Sequence, residues 1–168
     1  MENDRVEAAV RAYADALFRL AYTQLRSRVD AEDVVQEVFL RYLRCAPVFE
    51  STEHERAWLI RVTINRCRDV LRSPWLRKRE ALPEELPDEA ENETGELRAA
   101  VFALPAKYRT PIHLYYYEGY AIREIAGLLG IPPATVGTRL ARGRRLLRQA
   151  LAGEEEPRHE DIESKNLS

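Results

Sequence analysis

Residues 134–152 contain five arginines and no acidic residue, so their side chains could bind nucleic acid. With helical residues placed at roughly 100° intervals, the segment has one apolar face and one mostly basic face. Arginine can bind guanine edges or phosphates through its forked donors, and threonine can reach either group. This pattern favours a DNA-binding helix over a solvated amphipathic helix in a bundle, which remains the alternative. The basic face comprises Thr138, Ala141, Arg142, Arg145 and Arg148.

A second basic segment, residues 56–79, holds eight basic residues against one acidic residue. Helical spacing places Trp58, Arg61, Asn65, Arg68 and Arg72 on the same side. Basic side chains interleaved with an aromatic ring and an amide suit single-stranded nucleic acid, because arginines meet phosphates while a splayed base stacks or hydrogen-bonds. The alternative is a basic helix that buries Trp58 in the core.

A polar strip is predicted on the helix formed by residues 31–45, for which Asp30 is the expected N-cap. On this strip, Asp33, Gln36 and Glu37 surround Leu40, an apolar residue on a mostly acidic face. Such a face suits a basic partner surface with an apolar centre. A plain solvated face explains the spacing equally well.

Catalytic and metal-binding sets are not evident in the sequence. His54 is flanked by Glu53 and Glu55, but no second ligand lies at helical spacing. Cys45 and Cys67 fit no metal spacing and are predicted to be buried thiols in a reducing cytoplasm. No apolar run or signal peptide indicates membrane insertion. We therefore expect no catalytic residue, no metal and no cofactor.

The helical segments divide into two predicted domains within 168 residues of net charge −2. Residues 80–96 contain eight acids and no basic residue, which predicts a flexible linker. Residues 1–79 and 97–153 are therefore predicted to be small all-α domains, with an acidic, disordered tail at residues 154–168. In the second domain, Tyr115 and Tyr116 are candidate core residues, and Gly130 with Pro132 and Pro133 predicts a helix-turn-helix.

Four motifs together resemble the extracytoplasmic-function (ECF) sigma factors of the sigma-70 family. They are DAEDVVQEVFLRYLR (30–44), AWLIRVTINRCRDVLR (57–72), LPAKYRTPIHLYYYEGYAIREIAGLLGIP (104–132) and ATVGTRLARGRRLLR (134–148). The resemblance covers the chain to about residue 151 and flanks the acidic linker. It implies a promoter-specificity subunit of RNA polymerase, with sigma region 2 in the first domain and sigma region 4 in the second.

The resemblance also implies a role for each motif. Asp33, Gln36, Glu37 and Leu40 would dock on the clamp coiled coil of the polymerase β′ subunit, and the second domain would meet the β flap. The loop holding Phe49 and the helix holding Asn65 would capture a flipped base of melted −10 DNA. The −35 duplex would be read by the second domain, through Thr135, Thr138, Arg139, Ala141, Arg142 and Arg145. Implied partners are core RNA polymerase, promoter DNA and an anti-sigma factor.

The sequence departs from the family at two places. Gly137 stands where many relatives carry Lys or Arg, and Pro132-Pro133 where they carry Ser or Glu. Two other functions stay open on the residues alone. A stand-alone helix-turn-helix regulator would need no docking strip, and a nuclease would need clustered carboxylates or a metal set.

Overall fold

The computed structural model describes residues 2–45, 47–73 and 93–153. Every regular element among these residues is a helix, so the predicted all-α class is confirmed. The elements form two compact units. Most of the predicted linker, residues 80–92, and the predicted tail, residues 154–168, lie outside the described residues. No helix among the described residues is long and apolar enough to cross a bilayer.

The first unit contains three helices, α1 (Glu2–Leu25), α2 (Arg28–Cys45) and α3 (Thr52–Arg72). Helix α1 packs against both of the others, and α2 also packs against α3. Apolar residues recur at three- and four-residue spacing on each helix, so one face of each enters a shared core. This core includes Leu17, Leu20, Val34, Val38, Tyr42, Leu59, Ile64 and Cys67.

The N-cap residue of α2 differs from the predicted one. Ser27, not Asp30, caps α2, because the Ser27 Oγ accepts a hydrogen bond from the Asp30 amide at 3.2 Å. Arg26 makes the turn with a positive φ of 58°. The prediction that both cysteines are buried is wrong for Cys45, which is exposed on the last turn of α2, whereas Cys67 is buried.

The second unit contains α4 (Glu93–Ala103), α5 (Ala106–Ile112), a π-helical turn (His113–Tyr117), α6 (Ile122–Leu129) and α7 (Pro133–Leu151). Helix α4 begins inside the predicted linker range. Its C-terminal carbonyls are held by Arg109, whose Nη1 donates to Phe102 at 3.0 Å and Leu104 at 3.2 Å. This guanidinium is 6% exposed, so it joins α4 to α5 from inside the unit.

The π-helical turn changes which tyrosines are buried. The Glu118 amide donates to the carbonyl of His113 at 3.1 Å, a five-residue step that is wider than an α-helical turn. Side chains after His113 therefore leave the 3.6-residue periodicity on which the core prediction relied. Leu114 is fully buried, but Tyr115 and Tyr116 are 37% and 51% exposed, so their prediction as core residues is wrong.

Helix α7 lies close against α5 at Gly143. A Cβ at this position would lie 2.9 Å from Cγ1 of Ile112 and 3.5 Å from Cβ of Tyr108. Only glycine leaves room for this approach, which sets the position of α7 on the unit. Val136 and Leu140 complete the buried face of the helix.

Candidate nucleic-acid and docking surfaces

The polar strip predicted on α2 is exposed along its whole length. Asp33, Gln36 and Glu37 all face solvent, and Leu40 is 47% exposed among them. Leu43, one turn further along, is also 37% exposed and enlarges the apolar centre. The sequence prediction omitted Leu43, although its three-residue spacing from Leu40 was a usable signal.

Glu37 has a partner that the sequence did not reveal. Its carboxylate forms an ion pair with Arg66 of α3, in which Nη2 lies 3.3 Å from Oε1 and Nε donates to Oε2. Both side chains remain nearly half exposed. Glu37 therefore joins α2 to α3 at the surface, in addition to any contact it makes with a partner.

The outer face of α3 carries the predicted basic surface. Arg61, Asn65, Arg68 and Arg72 are all exposed, and their spacing of four, three and four residues aligns them along one side of the helix. The opposite side contributes Ile60, Ile64 and Cys67 to the core. This geometry leaves three guanidinium groups and one amide free to meet a polyanion.

Phe49 and Trp58 belong to an aromatic cluster and are only half exposed. The Phe49 ring centroid lies 5.8 Å from that of buried Tyr42 and 5.8 Å from that of Trp58. The Trp58 ring meets Tyr42 edge-on at 5.9 Å. Between α2 and α3, the loop instead presents Val48, which is 88% exposed, and Glu50 to solvent. The sequence prediction omitted both residues because neither shows a periodic pattern.

Hydrogen bonds order this loop from the α3 side. Ser51 caps α3 by accepting from the His54 amide at 3.1 Å, and Nδ1 of His54 accepts from the Glu50 amide at 3.2 Å. The His54 ring also packs edge-on against Phe49 at 5.3 Å. His54 is thus part of the loop's support, and no cluster of metal-binding side chains occurs among the described residues.

The predicted helix-turn-helix is present in the second unit. Helix α6 ends at Leu129, and Gly130 adopts the left-handed conformation with φ 68°. Its amide and that of Ile131 both donate to the carbonyl of Ala126. Pro133 then occupies the first turn of α7, where its missing amide hydrogen costs nothing. The two prolines therefore begin the second helix, as the sequence predicted.

The six residues predicted to contact −35 DNA all lie on α7, but they differ in exposure and in the hydrogen bonds they already make. Ala141 is exposed, and the others are half-buried. The hydroxyl of Thr138 already donates to the carbonyl of Ala134 at 3.0 Å. Arg142 hydrogen-bonds the hydroxyl of buried Tyr108, and this bond lowers the pKa of that tyrosine. The residues that share the partly exposed side are Thr135, Thr138, Arg139, Ala141, Arg142 and Arg145.

An apolar groove of about 440 Å³ lies on the second unit, between α4, the π-helical turn and the C-terminal half of α7. Arg144 stands at its edge and donates to the hydroxyl of Tyr116 at 3.0 Å. The groove was not predicted, because it depends on the exposure of Tyr116 and Tyr117. Its apolar and aromatic lining is Leu97, Val101, Ile112, Tyr116, Tyr117, Leu147 and Leu151.

Two family models match the chain, one in each unit. Sigma-70 region 2 matches residues 9–77, and sigma-70 region 4 matches residues 94–147. The first match contains the first two motifs, and the second contains the third motif and all but the last residue of the fourth. They also include α2, α3, α6 and most of α7, so both candidate DNA surfaces fall within matched residues.

Curated relatives carry the same family description. The chain is 36% identical to the ECF RNA polymerase sigma factor SigE of Mycolicibacterium smegmatis, over 85% of this chain and 60% of that protein. It is 31% identical to the ECF RNA polymerase sigma factor SigW of Bacillus subtilis, over 89% of this chain and 90% of that protein. The chain thus spans less than two thirds of SigE and nearly all of SigW.

Solved structures share the fold. The sigma factor RpoE of Bartonella quintana, in complex with the anti-sigma factor NepR, matches with a TM-score of 0.70 and 18% identity, over 89% of this chain and 98% of that chain. CnrH, in complex with the cytosolic domain of CnrY, matches with a TM-score of 0.67 and 23% identity, over 91% of each chain. Both family models and the relatives agree, and the chain therefore belongs to the extracytoplasmic-function RNA polymerase sigma factors of the sigma-70 family.

Proposed function

We propose that this chain binds core RNA polymerase in the cytoplasm and directs it to promoters by reading −35 duplex and melted −10 DNA. One observation carries the proposal: the first unit has an acidic strip with an apolar centre on α2 and a basic face on α3. A stand-alone helix-turn-helix regulator has no use for the acidic strip, which would repel DNA. The polymerase supplies the chemistry, and this chain supplies recognition.

The α2 strip is proposed to dock on the β′ clamp coiled coil. Leu40 and Leu43 provide the apolar centre, and Asp33 and Gln36 provide polar contacts around it. Charge reversal at Glu37 would also break its ion pair with Arg66, so Leu40→Ala is the cleaner test. We expect weaker binding to core polymerase, whereas Val10→Ala, which truncates a 38%-exposed residue on α1, should leave binding unchanged.

The outer face of α3 is proposed to hold the melted −10 strand. Extruding a base costs a few kcal/mol, so arginines on the phosphates and a pocket for the base must offset that cost. Asn65 can form two hydrogen bonds with a base edge, and the exposed loop tip at Val48 lies on the same unit. Phe49 and Trp58 support that loop through the aromatic cluster. Asn65→Ala should slow open-complex formation on duplex promoters.

Binding to a single-stranded −10 oligonucleotide tests capture of the melted base separately from docking on core polymerase. If Asn65 acts on the melted strand, Asn65→Ala should weaken binding to a single-stranded −10 oligonucleotide while binding to core polymerase stays normal. Loss of polymerase binding in this variant would instead indicate a folding or docking defect and would contradict the assignment. Arg11→Ala, at an exposed position on α1, is the matched control.

Helix α7 is proposed to enter the major groove of the −35 element. Thr135, Arg139 and Arg145 are partly exposed and can reach phosphates or base edges, and small Ala141 allows close approach or meets a thymine methyl. Arg142 contacts Tyr108, and its guanidinium has further N–H donors that can reach DNA. Removing a phosphate-binding arginine should reduce the slope of log affinity against log salt by about 0.9.

The apolar groove of the second unit is proposed to receive the β flap, with Arg144 and Arg148 at its edge. Leu151→Ser should weaken polymerase binding without changing the affinity for −35 duplex. We also propose an anti-sigma factor as a partner, supported by the complex of RpoE with the anti-sigma factor NepR. The acidic linker, residues 80–96, is proposed to mimic nucleic acid in the polymerase RNA channel. Its replacement by Ser and Gly should alter promoter escape.

Run-off transcription from a promoter library with purified core polymerase tests the whole proposal. Enrichment of two separated sequence elements is the expected result. Specific DNA binding without polymerase, together with no effect on run-off transcription, would favour the stand-alone regulator.

A further inference from the structure

Arg5, in the first turn of α1, reaches the loop that joins α2 to α3. Its Nη2 donates to the carbonyl of Pro47. Its Cζ lies 5.2 Å from the ring centroid of Tyr42 and 5.5 Å from that of Phe49. One guanidinium therefore contacts the loop backbone, a loop side chain and a buried residue of α2.

The surface beneath Arg5 is itself fixed. Tyr42 is 1% exposed, and its hydroxyl donates to Oε2 of Glu55 on α3 at 2.6 Å. Burial and the nearby Glu55 carboxylate raise the pKa of Tyr13 on α1. The Tyr42–Glu55 bond thus links α2 to α3 directly beneath the Arg5 guanidinium.

The loop is held from two sides. Arg5 binds it at Pro47, near its start, and His54 binds it at Glu50, near its end. Val48 lies between these two points and is almost fully exposed. The contacts at Pro47 and Glu50 thus order the backbone on both sides of Val48, whose own side chain makes few contacts.

We propose that Arg5 is a positioning residue that holds the loop of residues 47–51 in the conformation that receives the melted −10 base. This rests on the proposed function of the α3 face. Arg5 does not bind the DNA; it lowers the cost of ordering the loop at the moment of capture. Preorganisation of this kind raises affinity without adding a contact.

The test uses holoenzyme assembled from full-length protein and core polymerase, with Trp75→Phe so that Trp58 is the chain's single tryptophan. The probe is a labelled single-stranded oligonucleotide carrying the −10 sequence selected from the promoter library. Arg5→Ala should weaken binding about five- to tenfold, the effect of losing a partly desolvated cation–π contact and a hydrogen bond. Arg11→Ala is the control and should bind normally.

Two further readouts separate positioning from direct contact and from misfolding. In the free full-length chain, Trp58 emission should shift in Arg5→Ala, because the Phe49 ring that packs on it loses its support. The salt dependence of oligonucleotide binding should stay unchanged, whereas loss of a direct phosphate contact reduces the slope by about 0.7 on single strands. Arg5→Lys keeps the charge but not the planar stacking, so it should restore part of the affinity.

Normal oligonucleotide affinity in Arg5→Ala, with Asn65→Ala defective in parallel, would overturn the proposal and leave the function intact. A reduced salt slope would also overturn it, by making Arg5 a DNA contact. If Asn65→Ala and Arg61→Ala bind normally as well, the proposed −10 function fails instead. If Arg5→Ala folds poorly, the proposal is tested with Arg5→Lys. Wild-type affinity and wild-type Trp58 emission in Arg5→Lys would contradict the stacking role of Arg5.

Discussion

Two glycines on α7 offer a matched test of how the second unit is packed. Replacing Gly137 or Gly143 with alanine adds the same methyl group to the same helix. At Gly143 that methyl would lie 2.9 Å from Cγ1 and 3.2 Å from Cδ1 of Ile112. At Gly137 nothing lies within 4 Å. The two substitutions should therefore have opposite effects on stability.

The magnitudes follow from two terms. Alanine is favoured over glycine inside a helix by about 1 kcal/mol, and both variants gain this term. Overpacking a closed core costs about 1–3 kcal/mol, and only Gly143→Ala incurs this cost. Ile112 is 1% exposed and lies against Gly143, so its side chain or α5 must shift to admit the added methyl group. The difference between the variants isolates the steric term, about 1–3 kcal/mol in favour of Gly137→Ala.

Native-state hydrogen exchange of α7 amides in the full-length chain measures this difference directly, because local opening reports the stability of the unit. Exchange should be slower in Gly137→Ala than in Gly143→Ala by about fivefold to about a hundredfold. In an Ile112→Ala background, Gly143→Ala should lose its steric cost and become neutral or stabilising.

Equal exchange rates in the two alanine variants would refute the reasoning. So would a steric penalty at Gly143 that persists after Ile112 is truncated, since the clash would then involve other atoms. Either result would mean that α5 and α7 do not approach as closely as the structure places them.

Three further predictions concern buried groups. Arg109→Met should destabilise the second unit by about 2–3 kcal/mol, because the carbonyls of Phe102 and Leu104 lose a charged donor, and thermal unfolding should show no such loss for the exposed Arg123→Met. Alkylation followed by mass spectrometry should modify Cys45 readily and leave Cys67 protected in the native chain, because burial raises the pKa of the Cys67 thiol to about 12. Burial and the bond to its carboxylate partner raise the pKa of Tyr42 to about 12 from 10.0. The folded state therefore holds this proton more tightly, so the stabilisation is complete below pH 10 and is lost between pH 10 and 12. Thermal melts across that window should fall more steeply for the wild type than for Tyr42→Phe.

Local patterns in the sequence determined the helices, the helix-turn-helix and the family. Apolar spacing of three and four residues predicts a helix wherever it persists, because each helix must bury one face. Gly130 and the two prolines after it specify a stop and a restart through backbone geometry alone. The exposed face of α3 followed from the same periodicity, since Arg61, Asn65 and Arg68 oppose its buried side.

Contacts between helices were decided only by the tertiary structure. The Glu37–Arg66 ion pair and the contact of Arg5 with the loop join residues far apart in sequence, and no periodicity encodes such pairs. The close approach at Gly143 likewise depends on which residue of α5 faces it. Sequence reasoning could identify each side chain but not its partner.

The tyrosines after His113 show where periodicity itself fails. A single π-helical turn rotates the following side chains, so Tyr116 and Tyr117 line an open groove instead of filling the core. Cys45 is exposed together with Leu43 and Arg44, so among the described residues the last turn of α2 has no packing partner that its sequence could have revealed. Residue spacing describes one helix at a time, whereas burial depends on what packs against it.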